Sequence, residues 1–225
     1  MIKSDCFACK PVDFLADRFW LRAMLHLPPE KEPPLVVGCH GLFSSSASPK
    51  QIALAEHLTS FRADIYGFTV YSWNLQRSLY VAGKLKSAGN CRIVFGGPEI
   101  TPDNDRAHSA CVDFYAYGEG EAVFRRLLQD PAAWSTGGGS EGAAEWFRTA
   151  ESPYLGGMID PTIENLMLIE TQRGCPYRCG FCFYNKSRQG LVFAEAKNLL
   201  RAVAWAVEKR IAEIYLLDPS LNARP

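Results

Sequence analysis

Between Leu35 and Leu128, short apolar runs alternate with stretches of helical periodicity, and few folds accommodate that pattern. Leu35–Cys39, Ile65–Tyr71, Arg92–Phe95 and Val112–Tyr117 read as buried strands. Ser48-Pro49-Lys50-Gln51 opens the first intervening helix with an N-cap, a proline at the first helical position and a capping-box glutamine. Ile52, Ala55, Leu58 and Phe61 then share one face. Asn74 is placed to cap a second helix running to about Ala88, where Gly89-Asn90 stops it. A third helix runs through Leu128. Strands joined by helices return in the same direction, so the expected architecture is α/β, a Rossmann-like doubly wound parallel sheet. Ligands of such sheets lie beyond the carboxyl ends of the strands. Ser72-Trp73-Asn74, Gly96-Gly97-Pro98-Glu99 and Gly118-Glu119-Gly120 all fall at that edge. Their glycines let backbone approach a ligand closely. None of these loops is a G-x-G-x-x-G or a P-loop, so nucleotide binding is not indicated.

Composition narrows the class further. The 225 residues carry 24 Lys+Arg against 24 Asp+Glu, which removes any global attraction to nucleic acid or an anionic membrane. With 48% hydrophobic and 21% charged residues the chain can bury one large core or two small ones, and disorder is disfavoured. No apolar run approaches the roughly 18 residues of a membrane span. Met1–Cys6 begins no signal-peptide h-region, so the expected location is the cytoplasm, where the eight cysteines are reduced.

The cysteines divide into two kinds. Cys39, Cys91 and Cys111 adjoin apolar runs and read as small buried hydrophobes. Cys6 and Cys9 form a CxxC whose flanks lack the strand-to-helix context of a redox pair. Cys175, Cys179 and Cys182, by contrast, sit in Gly174-Cys175-Pro176-Tyr177-Arg178-Cys179-Gly180-Phe181-Cys182. CxxxCxxC spacing with adjoining glycines describes a loop curling round a compact polynuclear centre. Arg173, Arg178, Lys186 and Arg188 surround it, and such charge lowers thiol pKa values and offsets a negative cluster. Structural zinc and ferredoxin-type clusters normally take four protein ligands. No Cys or His follows Cys182. Three local ligands favour an iron–sulfur site left open for a substrate or cofactor. A zinc site completed by a distant Cys or His, and buried cysteines without a metal, are the alternatives.

Cys175-x-x-x-Cys179-x-Phe181-Cys182 resembles the signature of the radical SAM superfamily. The resemblance implies a 4Fe–4S cluster on the three thiolates, with S-adenosylmethionine chelating the fourth iron. Reductive cleavage of the sulfonium would then give a 5′-deoxyadenosyl radical. It also places Phe181 and Tyr184 near adenine. Gly67-Phe68-Thr69-Val70-Tyr71-Ser72-Trp73-Asn74, Ile93-Val94-Phe95-Gly96-Gly97-Pro98-Glu99 and Tyr117-Gly118-Glu119-Gly120-Glu121 resemble the cobalamin-binding domain that precedes the barrel in one subfamily. That likeness implies that Trp73, Asn74, Gly96, Gly97, Pro98, Glu99, Gly118, Glu119 and Gly120 surround a corrin. One departure matters: none of His26, His40, His57 or His108 has an Asp two residues before it. The D-x-H-x-x-G ligand of classical cobalamin domains is therefore absent, and cobalamin would be held without a histidine on cobalt. The implied reaction is methylation, rearrangement or cyclisation of an unactivated carbon in a small molecule or natural product. A flavodoxin or ferredoxin would supply electrons. No side chain is assigned as the catalytic acid, base or nucleophile, since the cofactors carry the chemistry.

The domain expectation follows. Residues 1–34 hold little beyond a possible helix near Phe14–Leu27, and 35–130 form the cobalamin-binding-like domain. Residues 131–162 are a flexible linker around Gly137-Gly138-Gly139-Ser140, with Ser152-Pro153-Tyr154-Leu155-Gly156-Gly157 as a lead-in. Residues 163–225 would begin a radical SAM βα barrel. Asn165–Glu170 is its first strand and Phe193–Arg210 its helix, with Phe193, Leu200, Val203 and Val207 as the apolar stripe. Ile211–Leu217 is the next strand, ending at Asp218, for which the resemblance suggests contact with the methionine part of S-adenosylmethionine; a cap or turn role is the other reading. A full barrel takes roughly 250 residues, so the chain is expected to be a catalytically incomplete N-terminal fragment. Other classes compatible with the residues are a non-catalytic corrin-binding module and a zinc or electron-transfer protein.

Overall fold

The computed structural model describes residues 36–39, 49–135, 138–139, 142–157, 159–162, 165–182, 184 and 190–223. The expected helix near Phe14–Leu27, the Ser48 cap, Cys6, Cys9, His26 and His40 lie outside them. The chain divides into two compact units, Met1–Glu141 and Gly142–Pro225.

In the first unit, β1 (Val36–Cys39), β2 (Ile65–Thr69), β3 (Arg92–Gly96) and β4 (Phe114–Ala116) form one parallel sheet in that order. Helices α1 (Pro49–Ser60) and α2 (Leu75–Ala88) make the first two crossovers, and α3 (Gly120–Gln129) follows β4. Val36 is paired with Ile65, Ile65 with Arg92, and Val94 with Phe114. Side chains alternate across the pleat. Tyr66, Phe68, Ile93 and Phe95 bury against Leu58 of α1 and Val81, Ala82 and Leu85 of α2. Ile65, Val94, Phe114 and Ala116 bury on the other face against Val123 and Leu127 of α3. Both faces are thus covered, but the consecutive order shows no reversal among the described strands. The doubly wound expectation is corrected in that respect, and the carboxyl edge owes its shape to loops rather than to a change of strand order.

Local departures have local causes. Ile52 is half exposed, because α1 turns Ala55 and Leu58 inward with Leu54 and Phe61 partly covered. Asn74 makes no side-chain cap bond to α2. It is fully buried, its Oδ1 accepting from Tyr71 N–H at 2.7 Å while Nδ2 donates to the Thr69 carbonyl at 2.9 Å. Gly89 ends α2 in extended backbone rather than a left-handed turn. Buried Tyr66 donates its hydroxyl to the Leu58 carbonyl at 2.8 Å and accepts from Ala63 N–H at 3.2 Å, tying β2 to the end of α1.

Parts of the expected linker are helical. Pro131–Ser135 form a short 3₁₀ turn whose Ala133 joins the α3 core. Trp134 Nε1 donates to the Leu127 carbonyl at 3.0 Å, and the Arg92 guanidinium lies over its ring at 4.5 Å. At Gly138 an added Cβ would sit 1.9 Å from the Tyr115 carbonyl, so only glycine lets this segment lie against β4.

The second unit opens with α4 (Ala143–Thr149). Its parallel pair, β5 (Leu166–Ile169) and β8 (Glu213–Leu216), is connected through α5 (Ala196–Glu208). A two-rung antiparallel ladder, β6 (Gln172–Arg173) with β7 (Val192–Phe193), lies between β5 and α5 in the chain. Met167 and Ile169 bury against Tyr154, Ala202 and Ala206, with Leu199, Trp205 and Ile211 packed around them. The predicted stripe is corrected: Leu200 and Val207 are 68% and 71% exposed, Val203 is exposed, and Phe193 lies in β7. Alanines 202 and 206 form the buried face because their small side chains bring the helix axis close to β5. Asn198, also buried, donates to the Thr149 and Ala150 carbonyls at 3.0 and 3.2 Å, fixing α5 on the end of α4. Among the described residues no helix is long and apolar enough to cross a membrane.

Candidate functional site

Two sites emerge, one in each unit. In the first, Thr69, Gly96 and Ala116 make the last rung across β2, β3 and β4, and the three loops of interest begin beside one another. The loop after β3 rests on the loop after β2: Val70 N–H donates to the Gly96 carbonyl at 2.7 Å, and Glu99 N–H to the Val70 carbonyl at 3.2 Å. Gly97, at φ 105°, permits this. A Cβ there would meet both Val70 N and Val70 O at 2.8 Å.

Trp73 stands at the edge with 55% of its surface exposed, stacked on Tyr71 with centroids 4.4 Å apart and planes 9° from parallel. Stacking fixes a broad apolar ring where it can meet a flat ligand. Pro98, next to Gly97 in sequence, is exposed, and Glu99 is engaged by Asn104, whose Nδ2 reaches the Glu99 carbonyl at 2.9 Å and Oε1 at 3.2 Å. Gly118 has φ 74°, Glu119 precedes the first turn of α3 without a side-chain cap bond, and a Cβ on Gly120 would meet open space. Asn74 is the exception among the predicted edge residues, being consumed in holding its own loop. The one histidine on the β3–β4 connection, His108, packs edge-on to Tyr115 with its Nε2 3.4 Å from the Tyr117 hydroxyl.

These contacts make a test of the edge. Gly97→Ala is expected to cost at least about 1–3 kcal/mol, since it combines a left-handed φ with backbone collision. Gly120→Ala, in open space at the start of α3, should change stability by less than about 1 kcal/mol. Urea unfolding of the two variants beside the parent chain measures the difference.

In the second unit, β5 ends at Ile169 and the chain passes through Thr171 into the β6–β7 ladder, from which the cysteine loop springs. Gly174, at φ 94°, packs so closely on Gly190 that a Cβ would lie 2.1 Å from its carbonyl oxygen. Cys175 is partly buried at this neck, while Cys179 and Cys182 are exposed; none of the three forms a disulfide. Cys182 N–H donates to the Cys179 carbonyl at 3.0 Å, so those two residues share one tight turn. The three thiols are not gathered into a formed site: among the described residues no group of three His, Cys, Asp or Glu side chains is placed to hold a metal ion. Phe181 is 95% exposed and packs on nothing described. Tyr184 turns back to the neck, where its hydroxyl bonds to the Gly174 backbone; desolvation there raises its pKa. Asp218, at the end of β8, is turned toward Thr171 and Gln172. Sequence reasoning missed the β6–β7 neck, because two-residue strands leave no periodicity to read.

Comparison with known proteins bears on both units. Residues 42–128 match the B12 binding domain family. Over 193 residues the chain is 28% identical to a protein named 2-(S-pantetheinyl)-carbapenam-3-carboxylate methyltransferase from Streptantibioticus cattleyicolor. Over 191 residues it is 28% identical to the cobalamin-dependent radical SAM methyltransferase TokK of Streptomyces tokunonensis. The chain is thus similar, in its residues 42–128, to B12 binding domains and, over most of its length, to these two methyltransferases. Each match covers 72% of the chain, which spans 28% of the length of these relatives. No solved structure gives a significant match.

Proposed function

We propose that this chain is the cobalamin-binding and cluster-binding part of a radical SAM methyltransferase acting on an unactivated carbon. The observation that carries the proposal is one conjunction. A B12-type sheet whose carboxyl edge offers glycine loops and an exposed, stacked Trp73 shares the chain with a CxxxCxxC loop opening at the carboxyl end of a parallel strand. In this reading the second unit is the first strand, helix and strand of a βα barrel.

The donor set fits a cluster with one iron left open: three cysteines without disulfides, two of them exposed, within one loop. Cys175, Cys179 and Cys182 would hold the 4Fe–4S cluster. When bound, the cluster would supply one electron to S-adenosylmethionine, breaking its sulfonium C–S bond to leave methionine and a 5′-deoxyadenosyl radical. Cobalamin would sit against Trp73 and the Gly96–Glu99 and Gly118–Gly120 loops, as a methyl carrier. The chain's own work is to hold and shield these groups. The substrate is a small molecule or natural product, and the electron donor a flavodoxin or ferredoxin.

A second reading has one observation in its favour, the unconverged thiols. It makes the chain a corrin-binding module whose cysteine loop takes no cluster. Anaerobic reconstitution with iron and sulfide separates the two. The expected result is a 4Fe–4S EPR signal, after reduction, that shifts when S-adenosylmethionine is added, together with hydroxocobalamin co-eluting on gel filtration. A colourless protein containing zinc would overturn the cluster assignment, and hydroxocobalamin eluting free of the chain would overturn the corrin assignment.

A further inference from the structure

We propose that Asp218 is a positioning residue for the three-cysteine loop, clamping the base of that loop across the carboxyl ends of β5 and β8. The inference rests on the cluster reading above and assigns a role to a carboxylate that the reading does not use.

The geometry is specific. Asp218 Oδ1 accepts from Thr171 N–H at 2.8 Å and from Gln172 N–H at 3.2 Å, and Oδ2 accepts from the Thr171 hydroxyl. One carboxylate therefore takes three donors from two successive residues on the only covalent path from β5 to Cys175. Those amides lie where β5 has ended and β6 begins, so without Asp218 the turn would have to find water. The surrounding bonds run the same way. Leu217 N–H donates to the Ile169 carbonyl at 2.9 Å, and Gln172, 2% exposed, gives its side-chain amide to the Ser220 carbonyl at 2.5 Å. Ala194 N–H donates to the Thr171 carbonyl at 2.9 Å, which brings the returning strand to the same point. The Arg173 guanidinium is held over the Phe147 ring at 4.4 Å and on Glu170 at 2.9 Å.

A carboxylate is the group this position requires. It is acceptor-only with about four lone-pair sites, and hydrogen bonds to a charged acceptor are roughly twice as strong as neutral ones. The clamp fixes the neck three residues before Cys175, while Cys179 and Cys182 stand on an exposed turn. One thiol is thereby anchored, and the other two are left to close on the cluster. Outer partners of metal ligands act in this way, and their loss costs about 10–100-fold in metal affinity.

The test uses the 225-residue chain with Asp218→Ala, Asp218→Asn, Thr171→Val and Thr171→Ser, each reconstituted anaerobically with iron and sulfide. Asp218→Ala is expected to weaken cluster retention against a chelator about tenfold or more and to reduce the EPR shift caused by S-adenosylmethionine. Asp218→Asn and Thr171→Val should be intermediate, and Thr171→Ser should restore parent behaviour. A second readout needs no cluster: amide hydrogen exchange at Thr171–Gly174 in the metal-free chain should accelerate about tenfold or more in Asp218→Ala, the protection lost with hydrogen bonds to a charged acceptor. Parent-like exchange in both Asp218 variants would overturn the clamp. So would parent-like chelator resistance and EPR response in a variant whose only change is a lower melting temperature. If the parent chain itself takes up no cluster, it is the functional reading that fails, and the exchange experiment still decides whether Asp218 holds the loop.

Discussion

Cys179→Ser is expected to leave the reconstituted chain without 4Fe–4S absorption or EPR signal, its iron content at background. The loss should exceed the roughly 10–100-fold that removal of an outer partner costs, because a ligand itself is removed. No Cys or His follows Cys182, and no third ligand stands ready nearby among the described residues. Two thiolates cannot enclose a polynuclear centre. Cys182→Ser should behave alike, since the Cys182 N–H to Cys179 carbonyl bond places both residues in one turn. Cys91→Ser is the contrast. Cys91 is buried between α2 and β3, and desolvation, only partly offset by Lys86, pushes its thiol pKa up. A thiol held protonated is a poor ligand, so this variant should bind iron as the parent does. Iron and acid-labile sulfide assays on the three proteins check the set.

Phe95→Ala carries the largest expected cost to the first unit, about 3–5 kcal/mol. Phe95 is fully buried near the carboxyl end of β3, with Phe68 at 5.1 Å on the neighbouring strand and Tyr115 edge-on at 6.4 Å on the other side. Truncation removes both aromatic contacts and opens a cavity that the parallel strands, pinned by their register, cannot collapse to fill. Against the roughly 5–15 kcal/mol of a whole domain, that is a large share. Denaturant unfolding should show a lower midpoint with an unchanged slope. Hydroxocobalamin retention should then fall as well, because Gly96 and Gly97 directly follow Phe95 and the edge is built on the end of β3.

The sheet was legible because its signals are local and strong. Apolar runs bounded by Gly, Asn and Pro placed β2, β3 and β4 within about two residues of where they lie, and the edge loops followed from the strand ends. The faces of α5 were not legible. Hydrophobicity alone favoured Leu200, Val203 and Val207, yet the helix buries Ala202 and Ala206, since closeness to β5 is gained by small side chains rather than large ones. β8 shows the same limit. Ile214, Tyr215 and Leu216 are apolar, but all three are exposed among the described parts of the second unit. Asn74 had the right type and place for a cap, and its side chain found a stronger use in the turn before the helix. The bonds of Asp218 bridge residues nearly fifty positions apart, and nothing in a linear sequence marks such a pairing.

The consecutive strand order has a kinetic consequence. Parallel sheets are slow to form when strands adjacent in space are remote in sequence, because the loop must be closed before its contacts are gained. Here each strand pairs with the next one synthesised: Val36 with Ile65, Ile65 with Arg92, Val94 with Phe114. Every closure spans a single connection between consecutive strands, so the sheet can grow in the direction of translation. The first unit can therefore be complete while Cys175, Cys179 and Cys182 are still within the ribosome.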